Sequence, residues 1–412
     1  MTIILSVNAG SSSVKVSVYE TSSPASPPTQ LAEASISGLT APPAAFTYAA
    51  GSTNTKNEQV PHVDSQESAF DHILDRLQSS ESLPQVSDKQ KITHVCHRVV
   101  HGGDYPEAHV IDDTTFHHLQ DLTELAPLHN ASALAIVKAC VKLLPKAKNI
   151  AYFDSSFHAS MPDAVKTYPI DPQVAKTNKL RKYGFHGISY SFITRSVADF
   201  LGKNIDATNL IALHLGSGAS ACAVKGGKSV DNSMGLTPLA GLPGATRSGD
   251  VDPSLIFHFT HDAGKPAPGS SQKMHISQAE QILNKESGWK ALTGTTDFGH
   301  ISSSSDPQCR LAFDIFTDRI ASHIGSYFVK LDGKIDALVF AGGIGEKADA
   351  LRSRVVEKCR CLGFDLDQQK NEGVVENTVQ DIGSQGARHR TLVCQTDEQF
   401  EMARQCAASQ TL

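Results

Sequence analysis

Two stretches far apart in the chain, ILSVNAGS at 4–11 and LIALHLGS at 210–217, follow one plan: an apolar strand, a polar residue, an apolar residue, then Gly-Ser. Each is followed by small residues and a second apolar run. A chain of two similar halves would bring two polar hairpins face to face across a cleft, which restricts the fold more than any other feature. An eight-residue likeness can also arise by chance, and both readings stand at this level.

The first copy shows what such a hairpin offers. In IILSVNAGSSSVKVSV (3–18), Ile3, Leu5 and Val7 and then Val14, Val16 and Val18 recur with the two-residue period of half-buried strands, so the polar NAGSSS is their connection. Gly10 allows a tight bend, while Asn8, Ser11, Ser12, Ser13 and Lys15 offer the amide, hydroxyl and ammonium donors that a phosphate requires. The alternative is an ordinary serine-rich turn. Neither GxxxxGK[ST] nor GxGxxG leading into a helix occurs here, so any phosphate would bind to a hairpin.

Composition excludes several classes. The 412 residues suffice for two or three domains, 40% hydrophobic content for real cores, and 19% charged residues are ordinary for a soluble protein. A net charge of −6 and a pI near 6.3 argue against nucleic acid or an anionic membrane as principal partner. The eight cysteines show no CxxC pair or metal-ligand spacing, which points to reduced thiols. With neither a leader pattern nor an apolar run of spanning length, the expectation is a cytoplasmic protein.

Residues 21–62, rich in Pro, Ser, Thr and Ala, read as loosely ordered, exposed loops around one or two edge strands. Phe70, Ile73, Leu74 and Leu77 share one face of a helix over 65–80; Leu134, Val137, Val141 and Leu144 share one over 130–144, with Asn130 as N-cap and Pro145 as stop. HVCHRVV (94–100), NIAYF (149–153), NLIALHL (209–215) and DALVFAGG (336–343) read as buried strands ending in polar or glycine-rich turns, and 311–331 as the helix feeding the last of them. The class is α/β.

Strand ends in this reading carry polar residues. CHRVVHGGDY presents Arg98 with His97 and His101; LAPLHN presents His129; YFDSSFH presents Asp154; YGFHG presents His186; GATRSGDVDP presents Arg247; QTDEQF presents Glu398. Singly, such residues are ordinarily surface ion pairs or satisfied polar groups. Together they fit a site assembled at strand ends, where α/β folds bind ligands.

NAGSSSVK and HRVVHGG, followed in order by APLHN, FDSSFH, YGFHG, HLGSGAS, TPLAGLPGATRSGD, GGIGE and TDE, resemble the acetate kinase family over nearly the whole length. The insertion at 21–62 and the altered nucleotide segments suggest a eukaryotic, fungal member. The resemblance implies a two-domain actin-like ATPase (ribonuclease H-like) fold with a duplicated βββαβαβα core. Residues 1–154 with 400–412 would form the N-terminal domain, and 155–399 the C-terminal nucleotide and dimer domain. It implies ATP and acetate converted to ADP and acetyl phosphate with magnesium, and a homodimer.

Carried over motif by motif, the resemblance makes Arg98, Asp154, His186 and Arg247 catalytic. Val100, Leu128, Phe185 and Pro238 would hold the acetate methyl, with His129 beside them. Asn8, Ser11, Ser13, Lys15, His214, Gly216, Ser217 and Gly218 would hold phosphate, and Asp297, Phe298, Gly299, Gly342, Gly343, Ile344 and Gly345 the nucleotide. Asn8, Asp154 and Glu398 would organise magnesium, largely through water because this ion dehydrates reluctantly. Acetate is already ionised at neutral pH and needs no base. What opposes the reaction is charge: two unit anions at about 4 Å repel by about 4 kcal/mol at an effective dielectric of about 20.

Departures from the family pattern lie in the nucleotide segments: Ser217 replaces the usual Asn, Lys347 follows GGIGE where Asn is usual, and Gly299 stands where relatives carry an arginine beside the adenosine. They leave open pyrophosphate as donor; separately, a methyl pocket discriminates by only about 1–3 kcal/mol per methylene, which leaves propionate or butyrate as alternative acceptors. Outside the family, a non-enzymatic ATP-driven binding module would share the hairpins but not HRVVHGG or the second arginine, and a sugar kinase would need a carboxylate base for a hydroxyl.

Overall fold

In the computed structural model Ile3, Leu5 and Val7 on β1 (Thr2–Ala9) and Val14, Val16 and Val18 on β2 (Ser13–Thr21) share the buried face of an antiparallel pair, as their alternation predicts. The structure describes residues 2–10, 12–24, 26–122, 127–259, 262–267, 270 and 276–409, without the side chains of 127–129.

The sheet continues through 21–62, which corrects the expectation of loose loops. β3 (Thr29–Ser37), β4 (Ala44–Ala50) and β5 (Thr53–Val60) extend β2 as an antiparallel meander. Ala32, Ala34, Ile36, Phe46 and Tyr48 are buried in the same core as β1 and β2. Alanine and serine resemble loop composition, yet small residues in alternation pack well beneath a sheet. Exposure holds mainly for β5, the edge strand.

On the other side of β1 lie β6 (Ile92–Val99), then β8 (Lys148–Phe153), both parallel to it, and the two-residue β7 (His109–Val110), giving the order β5-β4-β3-β2-β1-β6-β8-β7. The second sheet comprises β9 (Leu210–Leu215), β10 (Ala219–Lys225), β11 (Lys228–Asn232), β12 (Ala337–Ala341), β13 (Val379–Asp381) and β14 (Arg390–Cys394), ordered β11-β10-β9-β12-β14-β13. β3-β2-β1-β6-β8 and β11-β10-β9-β12-β14 therefore repeat one plan, an antiparallel meander whose first strand is joined by two parallel ones. This is the duplicated ribonuclease H-like core, and the two echoing stretches are the first strands of its copies.

The helix Gln66–Gln78 is capped by Ser65 in a reciprocal box with Ser68 and buries Phe70, Ile73, Leu74 and Leu77. The helix Pro127–Leu143 starts before Asn130, so Asn130 is not its cap, although Pro145 does follow its end. Pro307–Lys330 buries Phe316, Ile320 and Ile324 in the second core. GGIGE folds as the short helix Gly342–Lys347 and not as a turn. Contacts divide the chain into two compact units, Met1–Ser156 with Asp397–Leu412, and Phe157–Thr396, so 155–156 and 397–399 group with the first unit and not the second. Among the described residues no helix is long and apolar enough to cross a membrane.

Candidate active site

In the first unit, parallel pairing of β1, β6 and β8 aligns their C-terminal ends, with Val7 opposite His97 and Arg98 opposite Tyr152. Asn8, Arg98 and Asp154 therefore meet at one end of the sheet. Arg98 grips Asp154 with two hydrogen bonds, Nη2 to Oδ2 at 2.6 Å and Nε to Oδ1 at 3.2 Å, and its Nη1 donates to Asn8 Oδ1 at 3.2 Å. Glu398, first residue of the helix Glu398–Ala408, places Oε2 3.4 Å from Arg98 Nε and 3.4 Å from Asn8 Nδ2. Reciprocal bonds between Ser6 and Gln399 at 2.8 and 3.0 Å, and the Asp397 cap, fix that helix end. Burial works against the Arg98 charge, but Asp154 and Glu398 outweigh it and raise the guanidinium pKa above its ordinary value.

His97, His101 and Asn130 of HRVVHGG and LHN have structural partners. Asn130 is buried and clamps the His101 main chain, accepting from its N–H and donating to its C=O at 3.0 Å each. A buried amide with both ends satisfied explains its place inside a helix. His101 Nδ1 accepts from Gly103 N–H, and buried His97 donates to Asn149 Oδ1 at 2.8 Å. Val100 is half-buried. Ser13 accepts through its carbonyl from Gly10 N–H, and Lys15, half-exposed, pairs with Glu33 on β3 at 2.9 Å. Ser11, and the side chains of Leu128 and His129, lie outside the described residues.

In the second unit His186 precedes the helix Gly187–Leu201 in left-handed backbone, φ 61°, a conformation that costs a non-glycine residue and is concentrated at functional sites. Its ring stacks on that of His214 with centroids 4.1 Å apart. His186 Nδ1 meets Ser220 Oγ at 2.8 Å, and His214 Nδ1 meets Ser189 Oγ at 2.8 Å, which in turn meets Thr396 Oγ1. Arg247 Nη1 donates to the Pro238 carbonyl at 3.5 Å. Gly218 has a reason to be glycine: a Cβ there would lie 3.0 Å from Arg247 Nη1 and 3.8 Å from His186 Nε2, so the missing side chain lets both groups share one space. Phe185 is fully buried, its carbonyl accepting from His158 Nε2.

The nucleotide segments divide. Ser217 is exposed, and its carbonyl accepts from Ala245 N–H. Gly216 donates to the Gly218 carbonyl. Asp297 caps the helix Phe298–Ser303 through Gly299 N–H and His300 N–H, and Gly299 is exposed. Phe298 departs from expectation. Its ring packs against Trp289 and Phe316 in the core, 5.3 Å from each, so its side chain leaves the binding set.

Gly342, φ 76°, sits where a Cβ would come within 2.7 Å of the Leu215 carbonyl, so the helix Gly342–Lys347 abuts the end of β9. Gly343 and Lys347 are exposed, Ile344 is half-buried and Gly345 buried. Three residues missed by sequence reading secure this segment. Buried Arg352 donates to the Gly345 and Glu346 carbonyls at 3.0 and 2.8 Å and to Asn371. Glu346 Oε1 accepts from Gly342 N–H and Thr396 N–H; burial raises its pKa and those two bonds oppose the rise. Nothing in local periodicity marks Arg352 and Asn371 as buried.

The acetokinase family model matches residues 3–404. A probable acetate kinase of Emericella nidulans is 56% identical, covering 99% of this chain and 98% of that protein, and one of Neurospora crassa is 54% identical, covering 98% and 93%. Among solved structures, a propionate kinase from Francisella tularensis superposes with TM-score 0.84 at 32% identity over 98% of both chains. An acetate kinase from Porphyromonas gingivalis superposes with TM-score 0.81 at 29% identity, again over 98% of both.

Proposed function

The chain belongs to the acetokinase family, and on that premise we propose that it transfers a phosphoryl group reversibly between ATP and acetate, directly and in line. The observation that carries this reading is the strand-end set Asn8, Arg98, Asp154 and Glu398 in a chain that matches the family over residues 3–404. Arg98 and Arg247 would hold the carboxylate and the migrating group, for which a planar fork of donors is well shaped. His186, with His214 behind it, would donate to the equatorial oxygens, on which charge spreads in the transition state. Both Asp154 oxygens accept from Arg98, which leaves this carboxylate poorly placed as a base and disfavours a hydroxyl acceptor.

The charge balance bears on magnesium. One arginine faces two carboxylates, Asp154 and Glu398, so the set is net negative and would repel phosphate. Its all-oxygen carboxylates and amide suit a hard cation; with Asp154 engaged by Arg98, water-mediated binding fits best, and Glu398 uses only Oε2 for its two contacts. A bound magnesium ion would neutralise phosphate charge. We place the protein in the cytoplasm.

Exposed Gly299 offers no cationic wall over an adenine, and this favours pyrophosphate as the second reading for the donor. A coupled assay with ATP and pyrophosphate against acetate, butyrate and glycerol separates the readings: acetate with ATP should turn over fastest, and glycerol turnover without acetate turnover would sink the proposal. In Gly299→Arg the KM for ATP should fall several-fold while that for acetate holds; an unchanged KM for ATP refutes the missing-wall argument.

A homodimer is proposed through the second unit, where Phe257 is 75% exposed and Phe259 54%, beside Leu255 and Val251. Light scattering should give twice the chain mass of 44.0 kDa, and Phe257→Glu should return it to one chain. A monomeric parent protein rejects this assembly.

A further inference from the structure

His186 can donate to a phosphoryl oxygen through Nε2 only if its proton sits on that nitrogen, because a neutral imidazole carries one N–H and one acceptor. Two buried hydroxyls decide which. Ser220 Oγ lies 2.8 Å from His186 Nδ1 and 2.7 Å from Tyr190 Oη. Ser220 and Tyr190 are both 0% exposed, so neither hydroxyl has water to turn to.

These contacts can be satisfied together in one direction. Tyr190 has one O–H to donate, and Ser220 Oγ, 2.7 Å away, is the acceptor in reach. Ser220, accepting from Tyr190, donates its own proton to His186 Nδ1. The reverse order would have Nδ1–H donating to Ser220 and Ser220 to Tyr190, leaving a buried phenol proton aimed at no acceptor given by these contacts, and buried polar groups are very seldom left so.

We propose that Tyr190 and Ser220 are positioning residues that fix His186 as the Nε2–H tautomer and thereby ready it to donate toward the space over Gly218 that it shares with Arg247. This deepens the phosphotransferase reading and rests on it for the role of His186 in turnover, though not for the tautomer itself. The sequence carries the relay unobtrusively: Tyr190 follows His186 by one helical turn, and Ser220 follows GSGA on β10, inside a run that is apolar up to Val224. Strand pairing sets Ser220 opposite His214, which brings the hydroxyl beneath the stacked rings.

The test is long-range 1H–15N correlation on the full-length protein labelled in histidine, with His186 assigned by its disappearance in His186→Gln. In the parent protein at neutral pH His186 should show a protonated Nε2 and an unprotonated, hydrogen-bonded Nδ1. Ser220→Ala removes the relay with the least change in volume, and Tyr190→Phe removes only its far end. In Ser220→Ala the two nitrogen shifts should move toward a tautomer mixture and kcat should fall about ten-fold, with KM for ATP and acetate within about two-fold. Tyr190→Phe should shift both readouts the same way by less. A parent His186 protonated at Nδ1, or nitrogen shifts unmoved in Ser220→Ala, overturns the inference. A tautomer that moves while kcat holds upholds the relay and counts against the role proposed for His186 in catalysis.

Discussion

Arg247→Ala should lower kcat by about two to three orders of magnitude while leaving unfolding nearly unchanged, as expected for a preorganised donor that acts on developing charge. Arg247 is partly exposed and its bond to the Pro238 carbonyl is a long one, 3.5 Å, to a neutral acceptor, so losing that bond should cost little stability. Arg98→Ala should fail on both counts. Asp154 is 1% exposed and takes two hydrogen bonds from Arg98, so removing the guanidinium strips a buried carboxylate of its charge partner, at about 3–5 kcal/mol. Single-turnover rates and urea unfolding on the two variants, with Arg98→Gln/Asp154→Asn as a neutral pair, separate charge stabilisation from structural loss. Near-parental turnover in Arg247→Ala would remove the carboxylate-clamp assignment.

The second large effect is on stability in acid. Burial pushes the His97 and His158 pKa values down to about 4, and the hydrogen bonds to Asn149 and to the Phe185 carbonyl only partly oppose this. Both rings are neutral when folded, whereas in the unfolded chain they titrate near the ordinary 6.5. Between pH 6.5 and 4 the unfolded state thus binds more protons, and stability falls as pH falls through that window. Each histidine accounts for a loss of about 3 kcal/mol by the lower end, from 1.36 kcal/mol per pH unit. His97→Gln and His158→Gln should each be less stable at pH 7 and flatten the profile of urea midpoint against pH. A parent profile already flat from pH 7 to 4.5 would show that the two rings take up protons without unfolding.

Legibility from sequence followed the range of the interactions. The NAGSSS hairpin, the helix over 66–78 and the parallel strands were readable because alternation, capping and helical spacing are written in neighbouring residues. The strands at 29–60 were missed because alanine and serine carry no strong periodic signal, and their burial depends on what lies beneath the sheet. Asn130 looked like a cap because caps and buried clamps use the same amide; its contacts with His101 decide between them. Phe298 looked like a nucleotide contact because it stands in a motif, and only its packing on Trp289 reveals a core residue.

By itself, then, the order of residues placed the strands that alternate or run apolar, showed which of their ends carry arginine, histidine and carboxylate, and offered a repeated α/β plan as one of two readings. The tertiary structure alone decided that Arg98 is held by Asp154 and Glu398, that Lys15 spends its charge on Glu33, and that Tyr190 reaches His186 through Ser220. The reason is distance along the chain: backbone periodicity is set by adjacent residues, whereas partnership among charged and hydroxyl groups is set by sheet order, which brings together side chains separated by tens to hundreds of positions.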